Sequence, residues 1–494
     1  MEASGRRYRS VAPQPASGRN RSSIHSLGTD LLCAIFSRLD LFVLVRCSVV
    51  CKSWNNVIYQ SSLMRDLYYK KNPRIRSSSD ISIPLETSMK IYLEELAMEQ
   101  HRLALTSGSA EVHQWTGHPV RYVFLVPSPV PVPYYYCVSR IRYEAGLAYR
   151  VSLYLLYRIS VLNRYGTVCF ILSGLVWVNI CRMKRGVILT GVGDKVLRLW
   201  SAESCKYLDE YSLPDMNPLV DCDFDESKIV GMTSAQLCIW RRRGQRSIFQ
   251  LREAIFQHGL CMRYVDPEAV IGCDDGRARI FDMYSGSCSR IIRYMLEEQG
   301  ISCMIMHSGP VTCLATDDQL ILGGSTFGSV TLADLSSGER LGFLKSSFSP
   351  TGMKSMCFNP HSFLLFAGST AGYAHCWDLR TLRPLWEVRA SSNVIYATQH
   401  LSSDTSTLVV GGLDGVLRIL NQSTGEIISS LVVNASLKDN KEVVEKKASV
   451  LSGVSFVESI PRCLRPPITC LAVGMRKVVT THNEKFVRVW RFHE

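Results

Sequence analysis

The chain has 494 residues, of which 46% are hydrophobic and 20% charged, which is typical of folded globular domains. Its net charge of +13 is concentrated: residues 1–23 carry +4, residues 121–177 carry +5, and the other 414 residues only +4. This nearly balanced body argues against nucleic acid as a partner. Eighteen cysteines without a CxxC pair indicate a reducing compartment, so we expect a location in the cytoplasm and/or nucleus.

Residues 1–23 are rich in arginine, serine and proline and lack an apolar core segment. They predict a disordered basic tail and no secretory signal.

Residues 24–71 show apolar side chains at helical spacing. Thr29 and Asp30 are predicted to cap a first helix, and Asp40 to cap a second helix. That second helix has an apolar face, formed by Leu44, Val45, Ser48 and Val49. About 45 residues are near the lower limit for an independent core, so part of this apolar surface is expected to need a partner.

The stretches "LGTDLLCAIFSRL" (27–39) and "VCKSW" (50–54) resemble an F-box, with Gly28 in place of the usual proline. The resemblance implies that the helices dock on Skp1, the adaptor of cullin-RING ubiquitin ligases. The contacts it implies are Leu27, Leu31, Leu32, Ile35, Phe36, Leu39 and Val50.

Residues 72–106 are predicted to form a linker followed by a helix. The linker is serine-rich around residues 77–86, and the helix is indicated by apolar residues at helical spacing. These are Met89, Tyr92, Leu93, Leu96 and Leu103.

A repeat occupies the C-terminal two thirds of the chain. Seven similar segments end at Trp200, Trp240, Phe281, Ala333, Trp377, Leu420 and Trp490. The residues nine positions earlier are Gly191, Gly231, Gly272, Gly324, Gly368, Gly411 and Thr481. Between them lies a tight turn with Asp or Gly, such as Asp275 and Asp414, followed by an alternating strand. The pattern predicts a hairpin repeated seven times, with a period close to 40 residues in most units.

The repeats resemble WD40 repeats, as shown by "WD" at Trp377 and Asp378 and "GH" at Gly117 and His118. The resemblance implies a β-propeller over residues 107–494, with the family's hydrogen-bonded tetrad in few blades. The last segment lacks an outer strand, and residues 107–115 are predicted to supply it by pairing with 486–490. The whole is then a multidomain α+β protein, a small all-α F-box module followed by a seven-bladed all-β propeller closed by both chain ends. Residues 434–449 are predicted to be a flexible loop.

Residues 122–173 lengthen the first blade by more than fifty residues and are rich in tyrosine. A membrane span at 165–181 is disfavoured by the preceding arginines, and a functional loop by the apolar composition. We favour a third hypothesis, that the segment translates a retained intron, because its residues are those of pyrimidine-rich codons.

No catalytic motif, metal-ligand spacing or cofactor motif stands out, which predicts a non-catalytic adaptor without metal or cofactor. The combination resembles plant-type F-box/WD40 proteins, and implies a substrate receptor of an SCF ubiquitin ligase that binds an unknown protein target. The alternative is a propeller scaffold outside any ligase. Neither hypothesis includes nucleic acid or a membrane as a partner.

Recognition of a phosphorylated target is not predicted. Related receptors place arginine near the start of a blade's first strand, and none stands there in this chain. The corresponding residues include Asp221, Thr312, Ser355, Tyr396 and Thr469. The arginines that do recur are predicted to pack between blades. They are Arg198, Arg279, Arg418 and Arg488.

Overall fold

The computed structural model divides the chain into two compact units, residues 1–99 and 100–494. The residues that it describes are 27–71, 85–117, 125–127, 156–162, 168–174, 178–192, 196–213, 218–242, 249–250, 258–284, 288–291, 309–317, 319–345, 351–433, 443–450, 460–461, 465–482 and 484–493. The basic tail, most of the linker and His118 lie outside these ranges.

The first unit is a small helical module. Its helices are α1 (Thr29–Phe36), α2 (Leu41–Ser48), α3 (Lys52–Gln60), α4 (Leu63–Lys71) and the first part of α5 (Leu85–Thr106). Their core is formed around Leu32, Phe36, Leu44, Ile58 and Tyr68, all nearly inaccessible to solvent. The ring of Trp54 packs edge-on against Phe36, with 5.3 Å between centroids, which gives it a structural role.

Helix starts in the module follow the predicted caps only in part. The side chain of Asp40 accepts a hydrogen bond of 2.9 Å from the amide of Val43, as predicted. Helix α1 instead has Gly28 at its N-cap with no side-chain cap, and Thr29 and Asp30 lie inside the first turn. The prediction of a Thr29 or Asp30 cap was therefore wrong, because extended backbone at Gly28 starts the helix one residue earlier.

The second unit contains the seven blades of a propeller, each with four antiparallel strands; blades 1 to 5 are separate sheets, and blades 6 and 7 belong to one larger sheet. Blade 1 is β5 (Val178–Lys184), β6 (Val187–Val192), β7 (Val196–Ser201) and β8 (Tyr207–Ser212). Blade 2 is β9 (Leu219–Phe224), β10 (Lys228–Thr233), β11 (Leu237–Arg241) and β12 (Phe249–Gln250). Blade 3 is β13 (Gly259–Val265), β14 (Glu268–Cys273), β15 (Ala278–Asp282) and β16 (Cys288–Ile291). Blade 4 is β17 (Val311–Thr316), β18 (Leu320–Ser325), β19 (Ser329–Asp334) and β20 (Arg340–Lys345).

The remaining blades repeat this order. Blade 5 is β21 (Met353–Asn359), β22 (Leu364–Ser369), β23 (Tyr373–Asp378) and β24 (Arg383–Arg389). Blade 6 is β25 (Ile395–Gln399), β26 (Thr407–Gly412), β27 (Leu417–Asn421) and β28 (Ile427–Val433). Blade 7 is β30 (Cys470–Gly474), β31 (Lys477–Thr481), β32 (Phe486–Phe492) and β1 (Ala110–Thr116). The first strand of each blade contacts the first strand of the next, and β30 contacts β5, so the ring closes at seven blades.

Both ends of the propeller segment meet in blade 7. Strand β1 pairs antiparallel with β32, and Val112 lies opposite Trp490. The predicted closure of the ring by residues 107–115 and 486–490 is thus confirmed. It removes the open edge that a three-stranded last blade would present.

Residues 443–450 differ from their prediction. They form strand β29, which pairs with β28 on one side and with β1 on the other, so that blades 6 and 7 belong to one nine-stranded sheet. The prediction of a flexible loop over 434–449 was wrong for this part. The charged composition did not indicate a strand. The strand forms because β28 and β1, one on each side, satisfy its backbone hydrogen bonds. Residues 434–442 lie outside the described ranges.

The repeated glycines lie where consecutive blades approach most closely. A Cβ on Gly368 would come within 2.4 Å of Cγ2 of Ile395, the first residue of the next blade, and one on Gly191 within 2.5 Å of Leu219. Turn glycines with positive φ, such as Gly415 at 73°, are separate positions four residues later in the repeat. The repeated glycine therefore makes room for the next blade, while the turn glycine permits the tight turn.

Within the long insertion, the described strands β2 (Leu125–Pro127), β3 (Leu156–Leu162) and β4 (Val168–Gly174) form a separate sheet in the order β2-β4-β3. The rest of residues 122–173 lies outside the described ranges, and the retained-intron hypothesis stays a prediction. Across the described helices, none combines the length and the apolar character that a bilayer crossing requires.

Candidate functional site

An apolar surface on the helical module is the first candidate site. Leu31 and Ile35 are one turn apart on α1 and are 58% and 46% exposed. Val49 and Val50, at the end of α2, are 81% and 62% exposed. Large apolar side chains this exposed in so small a module mark a binding surface. We call Leu31, Ile35, Val49 and Val50 the apolar surface of the module.

The seven residues implied as Skp1 contacts have different environments. Leu31, Ile35 and Val50 belong to the apolar surface. Leu27 and Leu39 are half-buried and pack against the core of the module. Leu32 and Phe36 are each only 3% exposed, because they lie on the side of α1 that packs into the core of the module. Their direct contact with an adaptor remains a prediction. The spacing placed Val49 on the apolar face of α2, but α2 ends at Ser48, and the side chain of Val49 is exposed.

The large residue that ends each hairpin is buried in the propeller. Trp240, Phe281, Trp377 and Trp490 are at most 2% exposed and are among the largest fully buried side chains, and Trp200 is 6% exposed. These residues, and the repeated glycines Gly191, Gly231, Gly272, Gly324, Gly368 and Gly411, are structural. Their role is to build the blades.

Parts of the WD40 tetrad occur in two blades. The Nε1–H of Trp200 donates a 2.9 Å hydrogen bond to Oγ1 of Thr190, and Trp490 donates one of 2.9 Å to Oγ1 of Thr480. In blade 7 the hydroxyl of Thr480 then lies 2.7 Å from Nε2 of His482, whose Nδ1 is 3.2 Å from the carbonyl of Pro466. Burial, together with the positive charge of Arg488, lowers the pKa of His482, so this histidine is neutral.

Acidic residues at the hairpin turns pair with arginines of the same blade. Arg418 Nη1 lies 2.7 Å from Oδ2 of Asp414, which also accepts a 2.8 Å hydrogen bond from Ser391. Arg279 Nη2 is likewise 2.7 Å from Asp275. Arg279 and Arg418 therefore hold the turn of their own blade together, whereas Arg198 lies 3.7 Å from Glu210 on the next strand; the predicted packing between blades did not include these pairs. In blade 5, Asp378 of the "WD" dipeptide accepts hydrogen bonds from Arg380.

The propeller encloses a cavity of about 880 Å³ that is lined by the first strands of its blades. On one side Arg182 pairs with Asp221 at 2.7 Å, and Lys184 pairs with Asp223 at 2.7 Å. Asp221 also accepts a 2.9 Å hydrogen bond from the amide of Met262. These carboxylates of blade 2 therefore connect blades 1 and 3 along the cavity wall.

Four further cations line the cavity, of which Arg185 pairs with Glu226 and Lys477 with Glu203. Arg263 and Lys354 have no carboxylate partner within the described ranges. Asp221, Ser355 and Tyr396, at positions where phosphate-reading relatives carry arginine, line the same cavity. The search for arginine at those positions of the sequence therefore missed Arg263 and Lys354, which stand at other positions. No group of three or more potential metal ligands occurs in the described part of the chain.

A helical module with an exposed apolar surface, on one chain with a ring of seven blades that encloses a polar cavity, defines a protein of two binding modules. Comparison with known proteins identifies both. The F-box-like family model matches residues 24–70. An F-box/WD-40 repeat-containing protein of Arabidopsis thaliana is 40% identical over 520 aligned positions, which cover all of this chain and 98% of the relative.

More distant relatives match only part of the chain. Autophagy-related protein 16 of Arabidopsis thaliana is 21% identical over 50% of this chain and 47% of its own length. The small ribosomal subunit protein RACK1z of rice is 34% identical over 23% of this chain and 35% of its own length. The full-length match shows that the chain belongs to the F-box/WD-40 repeat-containing proteins. Such proteins are typically non-catalytic adaptors, and their F-box generally implies partnership with Skp1 and cullin.

Proposed function

We propose that this protein is the substrate-recognition subunit of an SCF ubiquitin ligase, in which the F-box module binds a Skp1-type adaptor and the propeller binds a target protein. The protein itself catalyses no step. It raises the local concentration of the target near a ubiquitin-charged E2 held by the cullin, so that transfer becomes effectively intramolecular. The function would be exercised in the cytoplasm and/or nucleus.

The observation that carries this proposal is the apolar surface of the module. The core formed around Leu32, Phe36 and Ile58 is complete, yet Leu31, Ile35 and Val50 remain exposed beside it. Exposed apolar residues of this kind stabilise the free module little, and their burial against a partner is favourable at about 25 cal/mol per Å² of apolar area. The residues that the F-box resemblance implies as contacts include these three.

The test is co-purification of the full-length protein with a Skp1-type adaptor and a cullin from plant cells. The variant Leu31→Asp/Ile35→Asp places two charges on the apolar surface, and we expect adaptor binding to fall at least about a hundredfold. The matched control is Tyr59→Asp, because Tyr59 is 56% exposed on α3 and belongs to no implied contact. Equal adaptor binding by both variants would refute the proposed contact.

The same experiment separates the ligase from the scaffold alternative. Recovery of cullin together with the adaptor supports the receptor, whereas adaptor alone, or neither, supports a scaffold. The full-length Leu31→Asp/Ile35→Asp variant also serves as a trap, since it retains the propeller but cannot deliver the target. Proteins that accumulate with this variant, and are ubiquitinated with the native chain, are the targets.

A further inference from the structure

Two cysteines meet where the last blade joins the first. Cys470 is the first residue of β30, is half-buried, and lines the 880 Å³ cavity. Cys181 lies on β5 and is inaccessible to solvent. Both are free thiols. Strands β30 and β5 are neighbours in the ring, so a bond between these residues would join blade 7 to blade 1 at their inner edges.

Polar contacts surround the sulfur of Cys470. Arg182 Nη1 donates to Sγ of Cys470 at 3.5 Å, and the same sulfur is 3.4 Å from the carbonyl oxygen of Cys181. The Cys470 thiol donates to that carbonyl oxygen, and the neighbouring thiol of Cys181 donates at 3.9 Å to the carbonyl oxygen of Val479. The guanidinium is held in place by Asp221 at 2.7 Å. Cys470 thus has a positive charge and a second thiol on one side, and the cavity on the other.

This environment sets Cys470 apart from the cysteines around it. The hydrogen bond from Cys181 and the charge of Arg182 lower the pKa of Cys470, against the opposing effect of burial. Burial raises the pKa of Cys357 to about 12, although that residue lines the same cavity. A thiolate is the nucleophilic form of cysteine, so reactivity at neutral pH should concentrate on Cys470.

We propose that Cys470 is an oxidation site and that Cys181 is its resolving partner, so that hydrogen peroxide entering the cavity converts the pair into a disulfide between blades 7 and 1. The site lies opposite the seam made by β1 and β32 within the same blade. Oxidation would therefore add a covalent bond at the inner strand of blade 7, where the described contacts with blade 1 are side-chain contacts and one isolated β-bridge between Val178 and Glu484.

The chemistry takes two steps. The Cys470 thiolate attacks one oxygen of hydrogen peroxide: an S–O bond forms, the O–O bond breaks, and hydroxide leaves and is protonated to water. The sulfur of Cys181 then attacks the sulfenic sulfur of Cys470. An S–S bond forms, the S–O bond breaks, and the departing hydroxide takes the Cys181 proton as a second water. Two thiols are oxidised, and the peroxide is reduced.

The test treats the native full-length protein with hydrogen peroxide and maps its peptides by mass spectrometry without reduction. We expect a cross-linked peptide pair containing Cys181 and Cys470, about 2 Da lighter than the two reduced peptides together, and its loss on reduction. Before oxidation, Cys470 should react with iodoacetamide at neutral pH at least about ten times faster than Cys357.

Matched variants sharpen the result. Cys470→Ser should abolish the cross-link, and Cys181→Ser should leave Cys470 as a sulfenic acid that dimedone traps. Cys357→Ser, at a cavity-lining position away from Arg182, should cross-link like the native chain. The proposal is overturned if the native protein gives no Cys181–Cys470 pair, or if iodoacetamide labels Cys357 as fast as Cys470.

Discussion

The helical module and the propeller differ in how they place the apolar residues that define their sequence patterns. The module leaves Leu31, Ile35 and Val49 in contact with solvent, whereas the propeller buries Trp240, Trp377 and Trp490 almost completely. A domain of about 45 residues has little interior and cannot enclose every apolar residue it carries. Each blade, in contrast, is covered on both faces by its neighbours. Exposed apolar residues of the module are therefore the ones to test for binding, and buried charged residues of the propeller are the ones to test for stability.

The largest expected effect comes from breaking a buried ion pair of the propeller. Asp414→Ala leaves Arg418, whose side chain is only 3% exposed, without its carboxylate. Removing one partner of a buried pair costs about 3–5 kcal/mol, so we expect a loss of this order in the free energy of unfolding, measured by urea denaturation.

The matched control is Asp275→Ala, in the equivalent turn of blade 3. There the carboxylate of Asp275 is 33% exposed, and water can replace it beside Arg279. We expect a loss of no more than about 1 kcal/mol. Equal losses for the two variants would contradict the idea that burial makes the blade 6 pair critical.

A second prediction compares the same substitution in the two regions. A Cβ at Gly368 would approach the side chains of Ile395 and Ser355 at 2.4 and 2.7 Å, whereas one at Gly28 would meet nothing within 4 Å. Gly368→Ala is expected to destabilise the propeller by about 2–3 kcal/mol because blade 5 must move away from blade 6.

Gly28→Ala is expected to cost less than about 1 kcal/mol, since its backbone already has an ordinary φ of −62° and only N-cap preference is lost. Thermal denaturation followed by circular dichroism measures both. If Gly368→Ala left the free energy of unfolding unchanged, the repeated glycines would reflect hairpin geometry alone and not the approach of the next blade.

This contrast explains how far the sequence could predict the molecule. The spacing of glycines and terminal aromatic residues predicted the hairpins, the seven blades and the closing strand. This worked because the pattern occurs seven times, so that a repeat that departs from it can still be recognised from the others. The reason for the glycines was not predictable from one hairpin. That reason is the close approach of the next blade, and the distance between Gly368 and that blade is set by the closed ring.

The module offered fewer independent signals. Periodicity placed Leu32 and Phe36 correctly in a helix with Leu31 and Ile35, but could not say which pair faces the core. Val49 fitted the apolar face of α2 by its spacing, but the helix ends at Ser48. Strand β29 was missed because its alternation is obscured by charged residues, and its partners are distant in sequence. Such features depend on tertiary contacts that short windows do not contain.

A smaller, pH-dependent effect is expected from His482. Its pKa is lowered in the folded protein, where it accepts a hydrogen bond from Thr480 and donates one to Pro466. The unfolded chain therefore binds a proton more readily, and stability is lost as the pH falls below the ordinary histidine pKa of about 6.5. The slope from this one group is at most about 1.4 kcal/mol per pH unit.

The matched variant is His482→Val, which reproduces the arrangement of blade 1, where Val192 stands two residues after Thr190 and Trp200 keeps its bond to the Thr190 hydroxyl. We expect a shallower dependence of the denaturation midpoint on pH between 6.5 and 5, with the remaining slope from other buried histidines. An unchanged slope would mean that His482 keeps an ordinary pKa.

The smallest expected effect on stability belongs to the apolar surface of the module. Leu31→Asp/Ile35→Asp removes no buried contact, because both side chains point away from the core that Leu32 and Phe36 fill. Solvent-exposed substitutions of this kind usually change stability by no more than about 0.5 kcal/mol, so the melting curve of the free protein should be unaltered. A loss of several kcal/mol would show that these residues are structural. An unchanged melting curve combined with lost adaptor binding can arise only if their energetic role lies in the complex.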